Sequence, residues 1–350
     1  MSKPMAIDLF CGAGGLSEGL SQAGYSVLGA VEIDPLACET YKLNHSRARL
    51  WQDDIRKVSG KSMMKKLGIE RGELALLAAC PPCQGFSSMR TKNGKSGNKD
   101  PRNNLIFEVL RLVRSLRPLS VMIENVPGLS GNWRWKKFLR GLKKLSYHIT
   151  WDVLNVVDYA VPQSRRRLVL LASRIGKPEF APKARINRTV RDAIGSIRKK
   201  HDPLHCYKPN ISEKVKELIA KIPKNGGSRI SLGSDAQLEC HKNTEGFHDV
   251  YGRMSWSFPA PTITGGCINP SKGRFLHPSY NRAITLREAA SIQTFPTSYK
   301  FSLKRGRYAV ALLIGNALPP EFIRRQALAL ERLRINNSNN KTDNNKKTRI

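Results

Sequence analysis

Met5-Ala-Ile-Asp-Leu-Phe10-Cys-Gly-Ala-Gly-Gly15 begins as a short apolar run and breaks into a glycine-rich turn, after which residues 16–22 carry a helical pattern. A strand that feeds a helix through such a turn is the opening unit of an α/β sheet. Glycine accepts the backbone angles a tight turn demands and lets the main chain approach a ligand closely. The same alternation continues outward from this segment. Residues 25–31 read as a second strand closed by Glu32-Ile33-Asp34-Pro35, and residues 36–44 as a helix. Further strands are expected at 74–79, 119–123, 149–157 and 167–172, with helices at 105–116 and 135–145. This is the α/β pattern with a mostly parallel sheet. Ligands of such sheets bind at the carboxyl ends of the strands, so residues 8–15, Glu32, 80–87 and 124–126 are where chemistry is expected.

The texture changes beyond residue 176, where Pro, Lys and Arg become frequent, doublets such as Gly226-Gly227 and Gly265-Gly266 recur, and long periodic segments become few. The sequence therefore predicts a catalytic and cofactor-binding domain over 1–180, completed by 300–335, and a smaller domain of strands and loops over 181–281. Residues 282–299 read as a hinge returning to the first domain. Thr285 and Glu288 there form the Thr-x-x-Glu signature of a capped helix. Residues 308–314 fit a strand or a helix, and a terminal helix is expected from 321 to 333. Residues 336–350, with six Asn and no aromatic, are expected to form a disordered basic tail.

Charge narrows the partners. Sixty Lys and Arg against 27 Asp and Glu give a net charge of +33, which favours a polyanion such as nucleic acid. A membrane is disfavoured, because no uninterrupted apolar run approaches the ~20 residues of a spanning helix, and the N-terminus lacks the apolar core of a signal peptide. A cytoplasmic location is expected. Seven scattered cysteines argue against a disulfide framework and for a reducing compartment. Cys80-Pro81-Pro82-Cys83 has the spacing of a redox pair but lies too deep in the chain for one. The spacing of His201, His205, Cys206, Cys240, His241 and His248 matches no zinc pattern, so no metal is expected.

Three features carry chemistry on their own. The glycine turn with Glu32 at the end of the next strand suits a nucleoside cofactor whose ribose hydroxyls the carboxylate accepts, and on this feature alone a nicotinamide cofactor stays open. In Pro81-Pro82-Cys83-Gln84-Gly85-Phe86-Ser87 the two prolines restrict the backbone before a cysteine. A thiol with a reference pKa of about 8.5 supplies some thiolate at neutral pH. Glu124 ends an apolar run and precedes Pro127-Gly128, a setting in which a carboxyl pKa rises.

Taken in order, these segments resemble the DNA (cytosine-5) methyltransferase family. The matching strings are Asp8-Leu-Phe-Cys-Gly-Ala-Gly-Gly15, Glu32-Ile-Asp34, Asp54-Ile55, Pro81-Pro-Cys-Gln-Gly-Phe-Ser87, Glu124-Asn-Val126 and Gln163-Ser-Arg165-Arg-Arg167. Beyond a variable region come Thr285-Leu-Arg-Glu-Ala-Ala-Ser-Ile-Gln-Thr-Phe-Pro296 and Gly315-Asn-Ala-Leu-Pro-Pro320. Ala317-Leu318 stands where relatives often carry Ser-Val. The resemblance implies a Rossmann-like fold that binds S-adenosylmethionine, with the variable region as target-recognition domain, and methyl transfer to C5 of a flipped-out cytosine in duplex DNA. It implies that Cys83 adds covalently to C6. Glu124 would bond N3 and the exocyclic amine, Arg167 would meet O2, Arg165 would brace the site and Asn125 would hold the Cys83 loop. Phe10, Gly12 and Gly14 would cradle the cofactor, with Glu32 on the ribose and Ile33 on the adenine face. Asp54 and Ile55 would reach the adenine amine and ring, with Leu105 and Asn316 closing the other side.

For DNA, the resemblance implies a mobile flap over residues 88–104 with Arg102 as a phosphate or sugar contact, and Ser87 and Gln163 beside it. Within the variable region Arg229, Arg253, Thr262 and Thr264 are expected to touch duplex, Arg as a guanine reader. Its extent matches a free-standing prokaryotic enzyme, a monomer working beside a cognate restriction endonuclease without a stable complex. Two alternatives remain: an RNA (tRNA) cytosine-5 methyltransferase, and a catalytically silent DNA-binding relative. The tRNA-directed branch typically carries Pro-Phe-Thr-Arg where this chain has Gly85-Phe86-Ser87. A catalytically silent DNA-binding relative would lose the Cys or the Glu, and both are present.

Overall fold

In the computed structural model, residues 3–82, 100–197, 201–206, 211–233 and 249–347 are described. Cys83, Ser87 and the flap residues before Asp100 lie outside them. Strands β1 (Met5–Leu9), β2 (Ser26–Glu32), β3 (Arg49–Gln52), β4 (Leu76–Ala79), β5 (Ser120–Asn125), β6 (His148–Asn155) and β7 (Arg166–Ser173) form one sheet in the order β3-β2-β1-β4-β5-β7-β6. Strands β1 to β5 pair in parallel, while β7 runs antiparallel to both β5 and β6. Leu-Leu-Ala-Ala of β4 is buried throughout and β5 nearly so, as parallel strands covered on both faces require. Helices Gly15–Gln22, Pro35–Asn44, Gly60–Leu67, Leu105–Leu116 and Trp133–Lys144 alternate with the strands. Ile7, Leu77, Val109, Val121, Phe138 and Leu170 belong to the main core.

The chain moves outward from β1 through β2 to β3, then returns to lay β4 on the other side of β1. The strand order reverses there, so a crevice opens above the carboxyl ends of β1 and β4. Two elements here escaped the sequence reading. Strand β3 is four residues at the sheet edge with two apolar side chains, too short to show a period. Helix Gly60–Leu67 is marked only by its ends, Ser59 capping the Ser62 amide and Gly68 closing it at φ 63°. The terminal helix Pro320–Lys347 runs past the expected stop at 333. An ion pair of Arg334 with Glu331 and a bond from Asn337 to the Ile175 carbonyl support its extension.

The chain divides into two compact units. One comprises Met1–Asn155, Arg166–Lys183 and Pro320–Ile350, the other Val156–Arg165 and Ala184–Pro319. The second unit holds helices Val190–Ile194, Glu213–Lys221, Leu286–Ile292 and Gly306–Asn316. In place of the expected strands, its described residues show isolated bridges that join Gln163 to Ala260, Arg253 to Leu276 and Leu276 to Ala283. Pro259, Pro261, Pro270 and Pro278 lack the N–H a ladder needs, which accounts for the difference. The capping box is present: Thr285 accepts from the Glu288 amide, and Glu288 accepts from the Thr285 amide at 2.8 Å. Among the described residues, no helix is long and apolar enough to cross a membrane.

Candidate active site

Because β7 runs against β5, its first residues lie at the carboxyl edge of the sheet, beside the last residues of β5. Register pairs Glu124 with Val169 and Asn125 with Leu168. Arg167 Nε then lies 2.7 Å from Glu124 Oε1, with the two side chains 16% and 14% exposed. Arg167 Nη1 donates to the Arg166 carbonyl at 2.8 Å. Partial withdrawal from water leaves this pair less screened than a surface one. Asn125 Nδ2 donates to the Pro81 carbonyl at 3.0 Å, and its Oδ1 accepts from the Val126 amide at 2.8 Å. The side chain thus ties the end of β5 to the segment that carries Cys83 two residues later. Cys80 lies against Glu124. Burial first, then the carboxylates of Glu124 and Asp8, push its thiol pKa well up. It stays a neutral thiol, unsuited to act as a second nucleophile.

At the end of β1, Phe10, Gly12 and Gly14 all adopt positive φ, 60°, 53° and 90°. Glu32 at the end of β2 holds this turn: Oε2 accepts from the Gly12 amide at 2.9 Å, and Oε1 accepts from the amides of Ile33 and Asp34, both at 2.8 Å. A carboxylate has about four acceptor positions, so room remains for a hydroxyl. A Cβ built on Gly12 would meet nothing within 4 Å, which leaves open space against the turn, and Ile33 beside it is 63% exposed. These residues fit an adenosine-type cofactor. Asp54 caps a short 3-10 turn and pairs with Arg56, which holds its carboxyl pKa down to about 2. It is therefore an ionised acceptor. Ile55 departs from expectation: its side chain is buried in the core, so only its main chain can reach a ligand. Leu105 is partly buried against the same core. Arg102 is half exposed and pairs with Asp100 at 2.7 Å.

Asp8, one residue before the end of β1, is wholly buried. Its Oδ2 accepts from Ser17 Oγ at 2.6 Å, which also meets Tyr41 Oη at 2.9 Å, while Oδ1 has no partner. Burial raises its pKa to about 7. An acidic residue inside an otherwise apolar strand was the available signal.

In the second unit, Arg165 is buried, and its Nη1 donates to the carbonyls of Ile263 at 3.0 Å and Gly315 at 2.8 Å. Gln163 is a correction. It is fully buried, donates to Gln293 Oε1 and accepts from the Ile263 amide, both at 2.7 Å, so it stitches strings of the chain together and cannot touch DNA. Alternation could have revealed this, since Ser164 and Arg166 are exposed while Gln163 and Arg165 are buried. Arg253 is a second correction. It is 0% exposed and spends all five guanidinium hydrogens on Ile219, Ile222, His277, Tyr280 and Asn281. Arg229 is buried too. Burial takes the Arg229 side chain below the surface, while Arg253 has every guanidinium hydrogen satisfied by protein acceptors. Thr262 and Thr264 are half-buried; Thr262 Oγ1 donates to the Ser164 carbonyl at 2.8 Å. Asn316 is exposed at the end of its helix.

The sequence profile described as C-5 cytosine-specific DNA methylase matches residues 5–332. The chain belongs to that family. This methylase is 36% identical over 344 residues to the type II methylase M.HgiDII of Herpetosiphon aurantiacus, covering 93% of this chain and 94% of that one. It is 32% identical to the type II methyltransferase M1.HphI of Haemophilus parahaemolyticus, over 94% and 87% of the two chains. Among solved structures it resembles a prophage-encoded E. coli protein described as a DNA modification methyltransferase, with a TM-score of 0.69 at 25% identity over 94% and 99% of the chains. The fold alone is shared with DNMT2 of Spodoptera frugiperda, TM-score 0.64 at 17% identity over 94% and 99%. The methylase is a DNA cytosine-5 methyltransferase with the Rossmann-like fold of that class.

Proposed function

We propose that this methylase transfers the methyl group of S-adenosylmethionine to C5 of a cytosine turned out of duplex DNA, through a covalent bond between Cys83 and C6. The observation that carries the reading is the Glu124–Arg167 pair at the carboxyl edge of the sheet, with Asn125 gripping the strand end just before Cys83. C5 of cytosine does not displace a methyl group from a sulfonium unaided. The Cys83 thiolate forms the S–C6 bond and sends the C5=C6 electron pair to C5, with density growing at N3 and O2. Glu124, as the acid, donates to N3 and accepts from the exocyclic amine, and Arg167 offers N–H to O2. Bound S-adenosylmethionine supplies the electrophilic methyl. The C5 proton then leaves to water, and its electron pair breaks the S–C6 bond and returns Cys83 as thiolate.

Phe10, Gly12 and Gly14 give the cofactor its cradle, Glu32 takes the ribose, and Ile33, Asp54, the Ile55 main chain, Leu105 and Asn316 attend the adenine end. Arg165 acts as a brace. Residues 181–281 read the target, while Ser87, Arg102, Thr262 and Thr264 meet the duplex. Extrusion of the base is required because C5 and C6 are out of reach inside the stack. The likeness to type II methylases supports a role in the cytoplasm as the modification half of a restriction system, as a monomer beside a separate endonuclease. Incubation with duplex DNA and methyl-labelled S-adenosylmethionine, followed by nucleoside analysis, is expected to give 5-methylcytosine; label on cytosine N4 or adenine N6 overturns the reading. Cys83→Ser is expected to abolish turnover while DNA still binds. Target DNA with 5-fluorocytosine is expected to trap a covalent complex, because fluorine cannot leave as the proton does.

A further inference from the structure

Arg253, which the sequence offers as a base reader, lies beneath a loop of the second unit that the sequence reading passed over. His277-Pro-Ser-Tyr-Asn-Arg282 exposes Ser279, Tyr280 and Asn281, with Tyr280 60% exposed. Its base is held on several sides. Arg253 Nη1 donates to the carbonyls of His277 at 2.9 Å and Tyr280 at 2.6 Å, and Nη2 donates to Asn281 Oδ1 at 2.7 Å. Buried His277 accepts at Nδ1 from the amides of Ser279 and Tyr280, both at 3.1 Å. Burial lowers the His277 pKa to about 4, so the ring is neutral at pH 7 and its nitrogen can accept. Trp256 Nε1 donates to Ser279 Oγ at 2.9 Å, and the Asn225 amide to the Pro278 carbonyl at 2.9 Å. An exposed loop with this much support has little entropy left to lose on binding.

We infer that the Ser279–Tyr280–Asn281 tip is a base-reading element of this methylase, with Asn281 addressing a hydrogen-bond acceptor on a DNA base edge. Asn281 Oδ1 accepts from both Arg253 Nη2 and Lys224 Nζ. Its two lone pairs are taken, so the exposed side chain presents Nδ2 as a donor only. Guanine offers N7 and O6, and thymine O4, to such a donor in the major groove. Charge favours a duplex at this place. Lys224 sits beside the amide, and the Arg282 guanidinium lies over the Tyr280 ring at 5.2 Å with its own carboxylate, Glu288, buried below. Exposed Lys224 is placed to hold phosphate while the tip meets bases, which separates affinity from specificity.

The inference rests on the reading that the chain methylates cytosine in duplex DNA, so the target site is first mapped for the unaltered protein by bisulfite sequencing of methylated plasmid. Rates are then compared on the cognate duplex and on every single-pair variant of it, for unaltered protein, Asn281→Ala, Tyr280→Ala and Tyr280→Phe. The expected result is a fall of about tenfold or more in cognate preference at one or two adjacent positions, with covalent trapping on cognate 5-fluorocytosine DNA retained. Tyr280→Ala leaves every Arg253 bond in place, so it stands as the test if Asn281→Ala melts early. Preferences within about twofold of the unaltered protein at all positions overturn the inference, as does an equal loss on all sequences, which marks a phosphate contact alone. If the unaltered protein leaves no 5-methylcytosine, the underlying reading falls instead.

Discussion

Glu124 and Arg167 stand on strands of opposite direction, which places the two side chains 2.7 Å apart at the carboxyl edge of the sheet. Glu124→Gln keeps the shape and removes the acid. Its single-turnover methyl transfer is expected to fall ~10²–10⁴-fold while cofactor binding by calorimetry is unchanged; an undiminished rate would remove Glu124 from the chemistry. Asp8 makes a different prediction. Its pKa of about 7 exceeds the ordinary 3.8, so the folded state binds the extra proton, and stability present at low pH is lost as pH rises through that window. Asp8→Asn still accepts from Ser17 and cannot ionise. Its melting temperature is expected to gain on that of the unaltered protein between pH 4 and 7, by an amount equivalent to a few kcal/mol at ~1.4 per unit. A constant gap would show that Asp8 does not titrate there. The place of Glu124 near the end of β5 was legible because an apolar run stops there. Arg253 and Gln163 were misjudged because a sequence displays charge and polarity but not depth, and both are satisfied by partners far along the chain.

Secondary elements were legible where their period or ends are marked. Strands β1, β4 and β5, the helix over 105–116 and the Thr285–Glu288 cap all follow from local pattern. The direction of β7 does not, since an apolar strand reads alike in either sense, and that direction brings Arg167 beside Glu124. The close packing of helix Gly15–Gln22 on the terminal helix was likewise invisible. A Cβ on Gly19 would lie 2.5 Å from the Pro320 carbonyl oxygen and 2.6 Å from Ile323 Cβ, neither of which is a flexible side-chain end. Gly19→Ala is therefore expected to force the helices apart and cost about 1–3 kcal/mol, read as a lower melting temperature. An unchanged melt would mean that the helices yield freely.

For the whole molecule, +33 charges set the terms of DNA binding. Affinity for non-cognate duplex is expected to fall steeply and linearly in log–log form with salt, by about 10³–10⁵ between 50 and 200 mM if six to ten phosphates are engaged. A flat response in filter binding would exclude that electrostatic term. Buried His277, with its pKa lowered to about 4 from 6.5, adds an acid limit: the unfolded chain takes the proton first, so stability falls as pH drops through that interval. The change in texture near residue 176 is legible in composition alone, while the assignment of residues to the two units rests on contacts in space. Residues 320–347, part of the stretch expected to complete the first domain, are held in the first unit by contacts three hundred positions apart, such as Tyr25 with Ala327.

That return has a consequence for synthesis. Gly19 of the first helix packs against the Pro320 carbonyl and Ile323, so the face of that helix is completed by chain made some 300 residues afterwards. At ~5–20 residues per second, it leaves the ribosome roughly 15–60 seconds before its cover does. During that interval a nascent-chain chaperone or a protease meets a bare apolar stripe next to the glycine turn, and a transcript broken before codon 320 yields a protein whose glycine turn has no finished wall behind it.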